Sequence, residues 1–141
     1  MSDFFKGELD KENVIDANKQ ICKQSNEIFG LDYPDKLDEI ISNIRAIDRI
    51  EDEKERIIRK ISILIVGLSY DQPFKNGNKR TSLVISILLL RLAHFDIPFY
   101  TKEQKHEVFD LLENLMYKFE DDVPMLIEEV EDFLRIRIVK I

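Results

Sequence analysis

The 141-residue chain has no tryptophan, one cysteine, two histidines, four glycines and four prolines. With Cys22 alone, no internal disulfide can close and a cysteine-based zinc cage is excluded. The expected setting is therefore a reducing cytoplasm. His94 and His106 cannot supply a three-histidine metal site. So little glycine and proline argues against a turn-rich β architecture and for long helices. Long apolar runs are also lacking. The longest, Leu83–Leu92, is broken by Ser86 and Arg91 and is about half a membrane span. The opening Met1–Glu12 is charged and lacks the apolar stretch of a signal peptide. No basic block occurs. The 28 acidic residues outnumber 21 basic ones, for a net charge of −7. Such a chain is a poor candidate for direct nucleic-acid binding or for coating an anionic membrane.

What is present suits one folded domain spanning 1–141. The sequence is 44% hydrophobic, which is too apolar for disorder and enough for one core at this length. Apolar spacing predicts a first helix over Lys11–Ile28, ended by Gly30. A second helix opens at Pro34 or Asp35 and carries Leu37, Ile40, Ile41, Ile44 and Ile47. The charged stretch Asp48–Glu55 breaks the chain before a third helix with Ile57, Ile58, Ile61, Leu64, Ile65 and Leu68. Tyr70–Gly77 is a marked interruption, with Pro73 and the turn dipeptide Asn76-Gly77. The following helix, about 78–93, is apolar nearly all round and is expected at the centre of the bundle. Thr101-x-x-Gln104 has capping-box spacing and starts a helix with Val108, Leu111, Leu112, Leu115, Met116 and Phe119. Asp121 or Asp122 caps a last helix with Leu126, Ile127, Val130, Phe133 and Leu134. The tail Arg135–Ile141 fits a frayed helix end or a short strand equally well. The fold class is all-α, a compact bundle of about six helices.

Chemistry concentrates in Gln72-Pro73-Phe74-Lys75-Asn76-Gly77-Asn78-Lys79-Arg80-Thr81. A glycine-containing turn runs straight into a buried helix. Successive backbone N–H groups there can form a concave nest at the positive end of the helix dipole. Lys79 and Arg80 put two cations in a first turn, which opposes that dipole unless an anion docks between them. A phosphate is the natural anion. The bland alternative is a plain turn and a solvated first helical turn. The segment is not a Walker A loop, because the upstream glycine and the Gly-Lys-Ser/Thr order are missing.

This segment resembles the signature of Fic/Doc (Fido) proteins, His-x-Phe-x-Asp/Asn/Glu-Gly/Ala-Asn-Lys/Gly-Arg. The Lys79-Arg80-Thr81 ending is more similar to the death-on-curing (Doc) branch, and Leu83 stands where many adenylylating members carry a second arginine. The Gly30-Leu31 loop, the apolar helix before the motif and the Leu-rich helix after it follow in similar order. The resemblance implies an all-α fold that transfers AMP or the terminal phosphate of ATP, with Mg²⁺, to a protein hydroxyl. It implies a protein target and an antitoxin-like partner. By the same resemblance, Phe74 anchors the loop and Asn76 helps to hold the metal. Gly77 and Asn78 form the nest, and Lys79 and Arg80 bind phosphates. The catalytic set becomes Gln72, Lys79 and Arg80.

Gln72 stands at the family's histidine position. A glutamine amide hydrogen-bonds but has no useful basicity near neutral pH, and losing a general base typically costs about 10²–10⁴-fold. His94, 16 residues beyond Asn78, lies roughly 24 Å from the phosphate end along a helix. His106 reads as solvated, and Asp71 as at most a weak base. Gln72 fits a degenerate nucleotide-binding protein, one with residual transfer, or an exchange introduced into an active enzyme. An alternative of another class is a non-enzymatic interaction module that binds an antitoxin-like partner. Arg45–Glu51 falls where relatives carry a target-binding flap, though an ordinary helix end explains it as well. The family's inhibitory Ser/Thr-x-x-x-Glu-Gly/Asn helix is absent, so restraint is expected from a separate partner. Cys22 is expected to be a small core residue.

Overall fold

The structure, a computed structural model, describes residues 9–98, 101–118 and 121–141. Among these described residues lie six α-helices: α1 Lys11–Gln24, α2 Pro34–Arg45, α3 Glu53–Asp71, α4 Asn78–Leu92, α5 Lys102–Lys118 and α6 Val123–Arg135. A 3-10 turn, Ala46–Arg49, follows α2. Two short strands, β1 Phe95–Asp96 and β2 Val139–Lys140, pair antiparallel. The chain is thus the all-α bundle that its spacing predicts. No helix among the described residues is long and apolar enough to cross a membrane.

Local chemistry sets most helix starts. Asp10, Asp52 and Asp122 each accept a hydrogen bond from the N–H three residues on, at 2.8, 2.9 and 3.2 Å. Each satisfies a donor that a helix start leaves without a partner. The Thr101–Gln104 box forms reciprocally, at 3.1 and 3.2 Å.

Two ends differ from expectation. Helix α1 stops four residues before Ile28, and Ile28 is exposed. Asn26, at φ 55°, takes the left-handed position expected of Gly30. Glu27 N–H then reaches Cys22 O at 2.8 Å and Asn26 N–H reaches Lys23 O at 3.4 Å, the two bonds of a Schellman cap. The tail combines both of its readings. Helix α6 ends at Arg135, and β2 follows to pair with β1. Arg45–Glu51 is a helix end and a 3-10 turn, not a strand.

Two buried clusters make up the core. One gathers Val14, Leu37, Ile40, Ile41, Ile44, Leu64, Leu68, Phe74 and Ile85 from α1–α4 and the signature loop. The other gathers Ile57, Ile58, Ile61, Ile65, Leu90, Phe95, Leu126, Val130 and Leu134. Helices α3 and α4 both contribute to each cluster. Helix α4 is therefore central, as its apolar run predicts, but it shares that place with α3. Its buried side is Thr81, Ser82, Ile85, Ser86 and Leu90, while Val84 and Leu92 are 43% and 57% exposed. Gly67 lets α2 approach α3, since a Cβ there would lie 2.9 Å from Ile40 Cγ1. On α5, Leu111 is exposed and Val108 half-buried. The expected apolar contacts of Leu112, Leu115, Met116 and Phe119 lie outside the described residues.

Candidate functional site

Helix α3 ends where the signature begins. Gln72 caps it at φ 46°, ψ 61°, and its side-chain amide donates to Ser69 O at 3.4 Å. This left-handed residue reverses the chain. Phe74 then turns inward, is 2% exposed, and packs its ring 6.3 Å from that of Phe29. Tyr33 N–H donates to Pro73 O at 3.0 Å, and Lys75 N–H donates to Gly30 O at 2.8 Å. The loop between α1 and α2 thus holds the signature loop by backbone pairing, and Phe74 roots it in the core.

Asn78 closes the turn from the other side. Its Oδ1 accepts from Phe74 N–H at 3.0 Å and its Nδ2 donates to Phe74 O at 2.8 Å. Both arms of the amide are therefore spent on shaping the loop. Gly77, at φ 76°, is the residue before α4 and offers no side-chain cap. The first-turn N–H groups of α4 are left without helical partners, at the positive end of the dipole.

An open cleft of about 270 Å³ adjoins this helix start. Ser69, Gln72, Lys75, Asn76, Gly77, Asn78, Lys79 and Arg80 line it. The structure so brings together every predicted site residue except Phe74, which lies beneath the cleft in the core. The lining has three cations and no carboxylate, a donor set for an anion. For Mg²⁺ this lining offers only neutral oxygens. Mg²⁺ commonly binds through one or two carboxylates plus substrate phosphates, so the residues here do not suit a resident ion. The Asn76 amide donates to Ile28 O at 3.0 Å, and no cluster of three His, Cys, Asp or Glu residues exists among the described residues.

Both motif cations already have partners. Arg80 donates to Ser25 Oγ at 2.6 Å and pairs with Glu27. Lys79 meets Glu113 of α5 at 2.9 Å, with its ammonium 5.5 Å from the centre of the Tyr117 ring. The chain thus carries its own counter-charges to both cations.

Asn18 is a residue that sequence reasoning missed. It is fully buried on α1, and its Nδ2 donates to Asn76 O at 2.7 Å and Thr81 Oγ1 at 3.1 Å. One side chain therefore ties α1 to the loop and to the first turn of α4. The only available signal was a polar residue on the apolar face that holds Val14, Ile15, Ile21 and Cys22. Cys22 is core, as expected, and its Sγ lies 3.6 Å from Asn18 Oδ1 and 3.8 Å from Asn76 O. Burial, and then the nearby Glu27 carboxylate, push its thiol pKa up. This keeps it protonated rather than nucleophilic. Asp71, the last residue of α3, adjoins Gln72 in the chain, but neither histidine lies near it. His94 is exposed beyond the far end of α4, and His106 is exposed on α5.

A rooted loop, a glycine at positive φ and an uncapped helix start under a cationic cleft sit together in an all-α domain. The Fic/DOC family profile matches residues 3–90, more than half of the chain, and the chain belongs to that family. Neither a curated protein nor a solved structure matches it. The family match ends inside α4, so Glu113 and the rest of α5 and α6 lie beyond it.

Proposed function

We propose that this protein is a Doc-like member of its family that binds a nucleotide by its phosphates at Gly77–Arg80, and that transfer to a protein hydroxyl is impaired by Gln72. The observation that carries the reading is the uncapped start of α4, opening on a carboxylate-free cleft lined by Gln72, Lys79 and Arg80. In such a transfer a target hydroxyl oxygen bonds to phosphorus and the bond to the leaving phosphate breaks. Positioning and charge neutralisation supply most of the catalysis. The hydroxyl proton needs an acceptor, and the Gln72 amide is not one. Mg²⁺ would arrive on the phosphates, with Asn76 the lining residue that the family likeness assigns to it.

The test incubates the chain and its Gln72→His variant with Mg²⁺, a cell extract and ATP labelled at the α or γ position. Label on protein from the variant, at least about 10²-fold above the unaltered chain, is expected. The labelled phosphate names the reaction. Silence from both, with both folded, removes the transferase reading.

A second reading has its own support. Lys79 and Arg80 are neutralised by Glu113 and Glu27, which suits a surface that no longer meets nucleotides and serves an antitoxin-like partner. ATP binding weakened by Arg80→Ala would exclude it.

A further inference from the structure

The peptide between Asn76 and Gly77 is held from α1. Asn18 is fully buried, and its side-chain amide lies 2.7 Å from Asn76 O. A carbonyl oxygen only accepts, so the arm that meets it is the NH₂. The same Nδ2 reaches Thr81 Oγ1 at 3.1 Å, and Cys22 Sγ donates to Asn18 Oδ1 at 3.6 Å. Both arms of the amide are therefore fixed. Their grip sets the direction of a whole peptide plane. No cis peptide occurs among the described residues, and in a trans peptide the C=O and the following N–H point in opposite directions. With Asn76 O drawn to α1, Gly77 N–H points the other way. No backbone carbonyl among the described residues accepts from it. The cleft takes its lining from α3, the loop and the start of α4.

The opposite orientation is within easy reach. Turning this one peptide over moves Gly77 from φ 76° to negative φ, which glycine adopts about as readily. Gly77 O, which accepts from Thr81 N–H at 2.9 Å, lies beyond the turned plane, so α4 stays whole. The turned peptide would present a carbonyl, a negative dipole end, where an anion needs a donor.

We propose that Asn18 is a positioning residue that fixes the polarity of the nest. By holding Asn76 O against α1, it keeps Gly77 N–H turned to the bound phosphate. This rests on the reading of the cleft as a phosphate site. It goes further in naming what makes the loop a donor there rather than an acceptor. An apolar side chain at position 18 would leave Asn76 O buried without a donor, a penalty that turning the peptide relieves.

The experiment follows the Gly77 amide by NMR at pH 8 in the intact chain, Asn18→Asp and Asn18→Leu. Inorganic triphosphate is titrated into each by calorimetry, and a melting curve checks folding. In the intact chain the Gly77 N–H resonance should move saturably with triphosphate. Without ligand its hydrogen should exchange quickly with solvent. An ionised carboxylate only accepts, so Asn18→Asp should favour the turned peptide and hold Gly77 N–H itself. Exchange then slows and the response to triphosphate disappears. A merely structural Asn18 would instead loosen the loop and speed that exchange. Asn18→Leu removes the donor at similar size, and carries the affinity test whether or not the charged variant folds. It should bind triphosphate about tenfold more weakly, the loss of one hydrogen bond to a charged group. Triphosphate binding that leaves Gly77 N–H unmoved in the intact chain overturns the inference and leaves the phosphate cleft standing. So does unchanged or faster exchange in a folded Asn18→Asp, or intact affinity in Asn18→Leu. Failure of triphosphate to bind the intact chain overturns the phosphate reading and this inference with it.

Discussion

Gly77 holds the site open by what it lacks. At φ 76° an added Cβ would be strained, and it would also lie 3.2 Å from Asn18 Nδ2 and 3.3 Å from Ile21 Cγ2. Left-handed backbone costs a non-glycine residue roughly 1–2 kcal/mol. Gly77→Ala should therefore lose at least that much in urea unfolding, and ATP affinity should fall as the nest shifts. Glu27 is the opposite case, a residue whose removal should help. It pairs with Arg80, and the two side chains are 34% and 44% exposed. Exposed pairs are worth less than about 1 kcal/mol, so Glu27→Ala should tighten ATP binding by roughly two- to fivefold. Unchanged or weaker binding would show that Arg80 does not reach the phosphates. The motif itself was readable because Gln72, Gly77, Lys79 and Arg80 fall within one short segment of the chain. Asn18, Glu27 and Glu113 were not readable as site residues. They reach the loop and the first turn of α4 from α1, from the loop after it and from α5, and only tertiary packing brings them there.

The elements show the same division. Strong periodicity located α2, α3 and α6, because Leu37–Ile44, Ile57–Leu68 and Leu126–Leu134 each bury one continuous stripe. The end of α1 was misplaced because Asn26 accepted the left-handed position that a sequence rule reserves first for glycine. The exposed face of α4 escaped notice for a related reason. Val84 and Leu92 are as apolar as Ile85 and Leu90, and hydropathy alone does not say which face meets a neighbour. Gly67 was also silent, since nothing local marks a close helix crossing. Its role predicts that Gly67→Ala forces Ile40 aside at the α2–α3 contact. A loss of about 1–3 kcal/mol is expected, read as a lower urea midpoint at unchanged slope. A neutral outcome would mean that Ile40 has room to turn away.

Across the whole molecule, α3 and α6 are joined by two charged contacts with opposite pH dependence. Arg135 grips Glu55 with Nε and Nη2, both at 2.8 Å. Those hydrogen bonds hold the Glu55 carboxyl below its ordinary range. The contribution is present above the unfolded value, near 4.3, and is lost as pH falls through the lower folded one. Glu131 is 5% exposed. Arg59 Nε lies 3.0 Å from its carboxylate, but that N–H is not aligned for a hydrogen bond. Burial therefore outweighs the nearby arginines and raises the Glu131 pKa. Its contribution is full below the unfolded value and is lost as pH rises through the folded one. Glu131→Gln removes this penalty while keeping the shape, and Arg59 can turn its half-exposed guanidinium to water. The variant should therefore gain on the unaltered protein as pH rises above about 4.3, and be at least as stable at pH 7. Glu55→Gln should lose most near neutrality and converge with the unaltered protein in acid. Urea unfolding of the three proteins from pH 3 to pH 8 gives both slopes. A Glu131→Gln deficit that grows with pH would mean that the Arg59 pair, not burial, governs the carboxyl.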